Sequence, residues 1–441
     1  MKRSLIIAVG GLTLAACAAA QGQPEPARSY TLQQCLDLAF RQSPDLDRAG
    51  GVLSISSAGL VSSVSAMLPR VTAGSSYSQS GRTAAIDPLL GVSSSAPTRE
   101  ALSDQYGTSI TVSQALVNLP SWGRIGQAAY SRRAAGAAYD QARAALSYNV
   151  KQAYYGLVKL QKALLVARAA VGQSEEQAKR ARLMNQLGSL SRSDLLKIEV
   201  QLTQSRVNLL TAKTSLAAGR QALATIIGVS ADVAADTLLA VPDTSAAVPP
   251  QDSLVERALT ANPTYRSARD SYRAAALGSW SSWAGKLPSL SGSYSYGYGN
   301  NRQYRDWEEW KWHDSWSVSL SLSWNIFDGF GTEASIRQAS AQKRIAEADL
   351  FTARQNVGGQ VDQAYLALTA AREGLSLVGT LLQQAEEDYR LTSERYRLGS
   401  ASSLDLLTSQ VTYNQAQQTV TNAICDYYLA EAKLRQVMGQ W

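Results

Sequence analysis

His313 is the only histidine in a chain of 441 residues, and Cys17, Cys35 and Cys425 are its only thiols. With one imidazole, placed by the sequence pattern in the charged loop "NRQYRDWEEWKWH", neither a His-based metal site nor a His-assisted nucleophile can be assembled. The glycine-bearing runs "GGLTLAAC" and "YGYGN" fall in a leader and a strand, so neither is a phosphate loop. We therefore expect no enzyme, no cofactor and no metal. Two kinds of chemistry remain. Cys17 is a thiol that can carry a lipid, and Ser191-x-x-Asp194 and Ser402-x-x-Asp405 place a carboxylate three residues after a helix-capping serine.

Lys2 and Arg3 before the apolar run Leu5 to Ala16 read as an export signal, so residues 1–16 leave the fold argument. Leu14-Ala15-Ala16-Cys17 resembles the lipobox of bacterial lipoproteins, which makes Cys17 a lipidated first residue and 17–30 a flexible anchor segment. Ala18-Ala19-Ala20 before Gln21 suits an ordinary signal peptidase instead. Both cleavages stay open. Without Lys2 and Arg3 the net charge drops from +7 to +5, and no basic run points to nucleic acid. Cys35 and Cys425 either pair in an oxidising periplasm or are two small buried residues on separate helices. Past residue 20 no apolar run approaches the ~20 residues of a membrane helix.

The carboxylates are positioned by a chain written twice. "VKQAYYGLVKLQKAL" (150–164) aligns with "VDQAYLALTAAREGL" (361–375), and the same shift of 211 residues pairs "LGSLSRSDLL" (187–196) with "LGSASSLDLL" (398–407). The halves run 31–228 and 252–441, joined by an Ala-, Asp- and Pro-rich linker, 229–251. In each half a short helix (Thr31–Gln42; Ser253–Ala261) meets Ser-Pro or Asn-Pro, where proline disfavours helix in the residue before it. A second helix follows (Asp45–Met67; Thr264–Lys286), then a β-hairpin (about 70–119; about 288–327). After these runs a helical region of roughly 100 residues, far longer than a globular core needs and suited to coiled-coil-like packing. Its only interruptions are the "LGS" sites Leu187-Gly188-Ser189 and Leu398-Gly399-Ser400. There glycine tolerates the left-handed backbone of a helix end, and each Ser-x-x-Asp starts the next helix with a capping box. Each half is thus a helical hairpin with its tip at 187–194 or 398–405.

The strands explain the rest. "WSVSLSLSW" puts Trp316, Val318, Leu320, Leu322 and Trp324 on one face and only serine on the other. In the strand before it Leu290, Tyr294, Tyr296 and Tyr298 share a face opposite Ser289, Ser291, Ser293 and Ser295, and its partner is "WSVSLSLSW", continued by Asn325 and Ile326. The first half repeats this more weakly, with Val71, Ala73, Tyr77, Ile110, Val112 and Leu116, and with Gln114 spoiling the face. Trp316 and Trp324 stand about 27 Å apart along a strand, or about 20 Å of membrane normal when tilted, near the ~25 Å apolar band of an outer-membrane barrel. Four strands cannot close a barrel and open edges cannot face lipid. Three chains give twelve strands, with lipid outside and a water-filled pore on the serine side.

The duplicated plan, with "RYRLGSASSLDLLTSQ" as its specific part and "TLQQCLDLAFRQSPDL" in support, resembles the TolC family of outer-membrane efflux proteins over essentially the whole mature chain. The resemblance implies a mainly α fold with a transmembrane β-barrel contribution: a homotrimer in which four strands per chain complete a twelve-stranded barrel, continued by a periplasmic α-barrel. It also implies passive export, with an inner-membrane transporter and a periplasmic adaptor (membrane fusion protein) as partners, and a place in the outer membrane among its lipids. Carried over residue by residue, Asp405 occupies an aperture-ring position and Tyr396 a position of the gating links, with Ser193 and Asp194 at the matching first-half positions. Leu187, Gly188, Ser189, Leu398, Gly399 and Ser400 become adaptor-docking tips. Ala401 and Thr408 depart from the family pattern and imply fewer or different links. The rival reading is a periplasmic coiled-coil adaptor or scaffold lipoprotein, which should carry lipoyl-like and small β-barrel segments between its helices; the sequence shows none.

Overall fold

The computed structural model describes residues 28–82, 101–229, 233–236, 242, 249–302 and 313–440. Cys17, Ala20 and the loop tryptophans Trp307, Trp310 and Trp312 lie outside the described residues.

The two short helices, α1 (Leu32–Gln42) and α5 (Gln251–Ala261), end where sequence says they must, and the same residues start the next helix. The Ser43 hydroxyl accepts from Leu46 N–H, and Asn262 Oδ1 accepts from Thr264 and Tyr265 N–H at 2.8 and 3.2 Å. Pro44 and Pro263 fill the first helical position, where a missing N–H costs nothing. α2 (Pro44–Ser65) and α6 (Pro263–Ala284) each lead into a strand pair: β2 (Arg70–Arg82) with β3 (Ala101–Val117), and β5 (Ser289–Arg302) with β6 (His313–Ser323). Two rods follow, α3 (Leu119–Gln186) and α7 (Gly331–Arg397), of 68 and 67 residues, and return as α4 (Arg192–Ile227) and α8 (Ser403–Val437), of 36 and 35. The near-equal lengths are the duplication in three dimensions.

The strands make one antiparallel sheet in the order β2-β3-β5-β6, the two hairpins joined through β3 and β5. The helices beneath follow the same order: α3 packs between α2 and α6, and α6 against α7. Lower down, α3 also packs on α4 and α8. The core is accordingly not one cluster but several along the rods. One gathers Val150, Tyr154, Leu157, Leu223 and Ile227 around α1. Its repeat-shifted counterpart gathers Val361, Leu368, Leu434 and Met438 around α5. A third, near the first tip, holds Ala178, Ala181, Leu195, Ile198 and Leu202.

Three expectations need correction. The N-terminal segment and the linker are not featureless: Arg28–Tyr30 and Val233–Ala235 form a parallel pair, β1 and β4. His313 opens β6 opposite Gly299 rather than lying in the loop. β6 stops at Ser323, so Asn325 and Ile326 do not extend it; Trp324, just beyond, donates its indole N–H to Lys286 O at 3.1 Å. Of the two readings of Cys35 and Cys425 the structure shows the second: both are free and buried, and burial pushes each thiol up to about 11.

Candidate functional site

Register decides which side chains share a face, because directly opposed residues in antiparallel strands point the same way. Val71, Val112, Tyr294 and Val318 form one row across all four strands, and Ala73, Ile110, Tyr296 and Trp316 the next. Leu320 and Leu322 continue the face downward, and Leu320 is 69% exposed. The alternate rows run Thr72, Thr111, Ser295, Ser317 and Gly74, Ser109, Gly297, Ser315. Those hydroxyl rows are partly tied together, as by Thr111 Oγ1 to Ser295 Oγ at 3.0 Å. This face is the hollow one: a concavity of about 570 Å³ is lined by Ser76, Gly107, Gly299, His313 and Ser315 among others. Sequence alternation thus becomes a sheet that is apolar on one face and hydroxyl-lined on the other, concave one. Gln114, a polar residue on the apolar face, turns its amide to Met67 O at the foot of the sheet.

Sequence reading missed the collar below. Trp122, Trp280, Trp283, Ile326, Phe327 and Phe330 are all exposed around the sheet's foot. Phe330 sits at φ +69°, a left-handed conformation costly for a side chain with a Cβ, and its ring meets Phe327 edge-on at 5.6 Å. The aromatic pair flanking "DG" was the available signal.

At the far end of the rods, both tips turn identically. Gly188 and Gly399 have φ +74° and +75°. Ser189 N–H reaches Met184 O and Ser400 N–H reaches Arg395 O, while the glycine N–H groups go to Asn185 O and Tyr396 O. These paired bonds satisfy the last helical carbonyls. Leu187 and Leu398 are thrust outward, 82% and 83% exposed. Ser193 and Asp405 are exposed, and Tyr396 and Asp194 half-buried. Within one chain these acids do not meet each other.

The caps differ, which corrects the expectation of two equal capping boxes. Asp405 completes its box, accepting from Ser402 N–H at 3.0 Å and from the Ser402 hydroxyl at 2.8 Å. Those bonds hold its carboxyl below the usual carboxylate range, the backbone one foremost. Asp194 accepts from the Ser191 hydroxyl at 2.7 Å but turns its other oxygen to Lys197 Nζ at 3.1 Å. Its carboxyl is also depressed, by the Ser191 hydroxyl first and Lys197 second. A further contact invisible in sequence, Gln177 Nε2 to the buried Gln410 Oε1 at 2.7 Å, ties α3 to α8 above the tips.

A two-faced sheet carried on paired helical rods, duplicated within one chain, defines a stalked membrane-channel wall as the class. The chain belongs to the outer membrane efflux protein family, whose model matches residues 35–229 and 254–440. Outer membrane protein TolC of Vibrio cholerae is 26% identical over 390 residues, covering 86% of this chain and 84% of that protein. The alkaline protease secretion protein AprF of Pseudomonas aeruginosa is 22% identical over 338 residues, covering 76% and 70%. The outer membrane channel CmeC of Campylobacter jejuni has the same fold: TM-score 0.78 at 16% identity, covering 99% of this chain and 94% of that one. Among the described residues no helix is long and apolar enough to cross a membrane. The protein is an outer membrane protein whose rods extend into the periplasm, and its family is one of outer membrane channels.

Proposed function

We propose that three copies of this chain close a twelve-stranded barrel and a helical tunnel beneath it. The assembly serves as a passive exit conduit for efflux or type I secretion, not as an enzyme. The observation that carries this reading is the sheet itself: apolar outside, hydroxyl-lined and hollow inside, with the outer edges of β2 and β6 unpaired among the described residues. An open edge in hydrocarbon leaves backbone groups without partners, so β6 of one copy must pair with β2 of the next. An inner-membrane transporter would drive the cargo, and a periplasmic adaptor would dock on Leu187-Gly188-Ser189 and Leu398-Gly399-Ser400. Asp405, with Asp194, Tyr396 and Ser193 beside it, would ring the narrow end, where three carboxylates repel, favour cations and ease opening. The names of the relatives support export of either kind, AprF being a protease secretion protein and TtgC of Pseudomonas putida a probable efflux pump component.

Purified protein in planar bilayers should conduct, and Asp405→Ala should lower its cation preference; unaltered current and selectivity would remove Asp405 from the aperture. Leu320→Arg, at the middle of the lipid face, should cost about 2–4 kcal/mol and sharply reduce assembled protein in the outer membrane. Normal yield would show that this face does not meet lipid.

A further inference from the structure

One side of the seam between α3 and α6 carries a cluster of arginines that conduction does not require. Ser281 Oγ donates to Pro120 O at 2.7 Å and Ser267 Oγ to Ala134 O at 3.1 Å, which fixes the antiparallel register of the two helices. Eleven residues are about three helical turns and seven are about two, each closing to within ~20°. Arg133 therefore lies below Trp122 on one face of α3, and Arg273 and Arg269 lie below Trp280 on one face of α6. The opposite faces carry Arg124, Gln127, Gly278 and Ser282, which line a hollow of about 430 Å³. The three arginines thus turn away from that hollow, to the side of the exposed tryptophans.

Their charges converge. The Arg133 and Arg273 guanidiniums both lie against the Tyr130 ring, 5.0 and 5.7 Å from its centroid. Asp270 Oδ1 stands 3.5 Å from Arg273 Nη1 and 3.8 Å from Arg269 Nε. The longer distance is beyond a hydrogen bond, and the buried Arg269 Nε has no acceptor among the described residues. Arg266 nearby is taken by Asp140 at 3.5 Å. Three guanidiniums therefore share the single carboxylate of Asp270, and two positive charges per chain stay uncompensated there. The tyrosine face attracts cations but carries no net charge to cancel them.

Height selects the anion that would. Tryptophan favours the membrane interface, whose polar layer is ~5–7 Å thick on each side of the hydrocarbon. Arg133 leans back over Tyr130, so both guanidiniums stand roughly 10–12 Å below Trp122 and Trp280, within one arginine length of that layer. Resting on the channel reading above, we infer that this seam is a docking surface for an anionic phospholipid of the leaflet nearer the rods. Its phosphodiester sits on Arg133 and Arg273, and its acyl chains run up along Trp122, Trp280 and Trp283. The uncompensated charge favours a lipid of net charge −1 over a zwitterion with the same phosphate.

The test is native mass spectrometry of the protein extracted in mild detergent and offered phosphatidylglycerol or phosphatidylcholine with the same acyl chains. A roughly tenfold preference for retained phosphatidylglycerol is expected. Arg133→Gln with Arg273→Gln should bring the two lipids close to parity, and Arg133→Lys with Arg273→Lys should keep most of the preference. Arg168→Gln with Arg180→Gln removes the same charge from exposed positions lower on α3 and should change nothing. Parity in the wild type, a preference that survives the glutamine pair, or an equal loss in the lower pair overturns the inference. Displacement of the lipid by inorganic phosphate overturns it too, by showing a site for a free anion. The assembly mass in the same spectra reads the barrel separately. A trimer without lipid preference defeats this inference alone, whereas a monomer that stays soluble without detergent defeats the channel reading as well.

Discussion

The two hairpin tips share a backbone and differ in what holds them shut. In the first, Arg182 pairs with Glu199 at 2.9 Å, Arg206 with Glu175 at 2.8 Å, and the buried Ser174 and Ser205 hydroxyls meet at 3.0 Å, all between α3 and α4. A shift of 211 residues turns these pairs into Ser393 and Gln410, Gln417 and Glu386, and Ala385 and Ala416. Every cross-link has been erased. Ala178 and Leu202 become Tyr389 and Tyr413, whose rings stack at 5.6 Å, and Lys197 becomes Thr408. From Ser403 to Cys425 the only charged residue on α8 is Asp405, so α8 holds to α7 there through the stacked tyrosines rather than through salt bridges. Glu199, a latch residue in the first half, corresponds to Gln410, which reaches instead to α3. The first hairpin is thus fastened within itself by ion pairs, while the second relies on its stacked tyrosines and on a polar tie to the first. Lys197 also explains the caps: it draws Asp194 out of the box that Asp405, facing Thr408, completes. The difference teaches that the two halves keep the same turn while closing their hairpins by different chemistry, ion pairs in the first and a stacked tyrosine pair in the second.

Three perturbations probe this contrast, beginning with the largest. Gly188→Val and Gly399→Val each force a Cβ into left-handed backbone and should each cost about 1–2 kcal/mol. Equal losses in thermal stability are expected, since the turns are the same; a cost confined to one tip would show that they are not. Next, Ser393→Arg with Gln410→Glu transplants the first-half latch. It should slow amide exchange across 385–412 by a factor set by about 0.2–1 kcal/mol and lower the open probability of the channel. Unchanged exchange would mean that the second hairpin is not limited by cross-links. The smallest effect is that of acid. Both tip carboxyls titrate below their ordinary value in the fold, so their capping is complete above the unfolded value. It is lost as pH falls through the depressed one. Exchange at both tips should rise below about pH 4, and Asp405→Asn should flatten that rise at the second tip alone.

Much of this was legible in sequence because it is periodic or local. The 211-residue shift, the two tip glycines and the Ser/apolar alternation of β6 follow from spacing alone. The proline-marked joints of α1 with α2 and α5 with α6 are local for the same reason, since Ser43 and Asn262 end one helix and cap the next. What escaped depends on contacts between distant residues. Nothing local says that Lys197 takes one oxygen of Asp194, that Gln177 meets Gln410 across 233 residues, or that Arg28–Tyr30 finds a partner strand in the linker. The collar escaped because Trp122, Trp280 and Trp283 lie on helices whose pattern is dominated by packing, and only the fold brings them level with Phe327 and Phe330.

The central claim is that the sheet is one third of a barrel. The most direct measurement is the native mass of the protein extracted from outer membranes in mild detergent. Three chain masses are expected, resistant to dilution; a monomer that stays soluble without detergent would contradict the account and leave the apolar face of β6 unexplained.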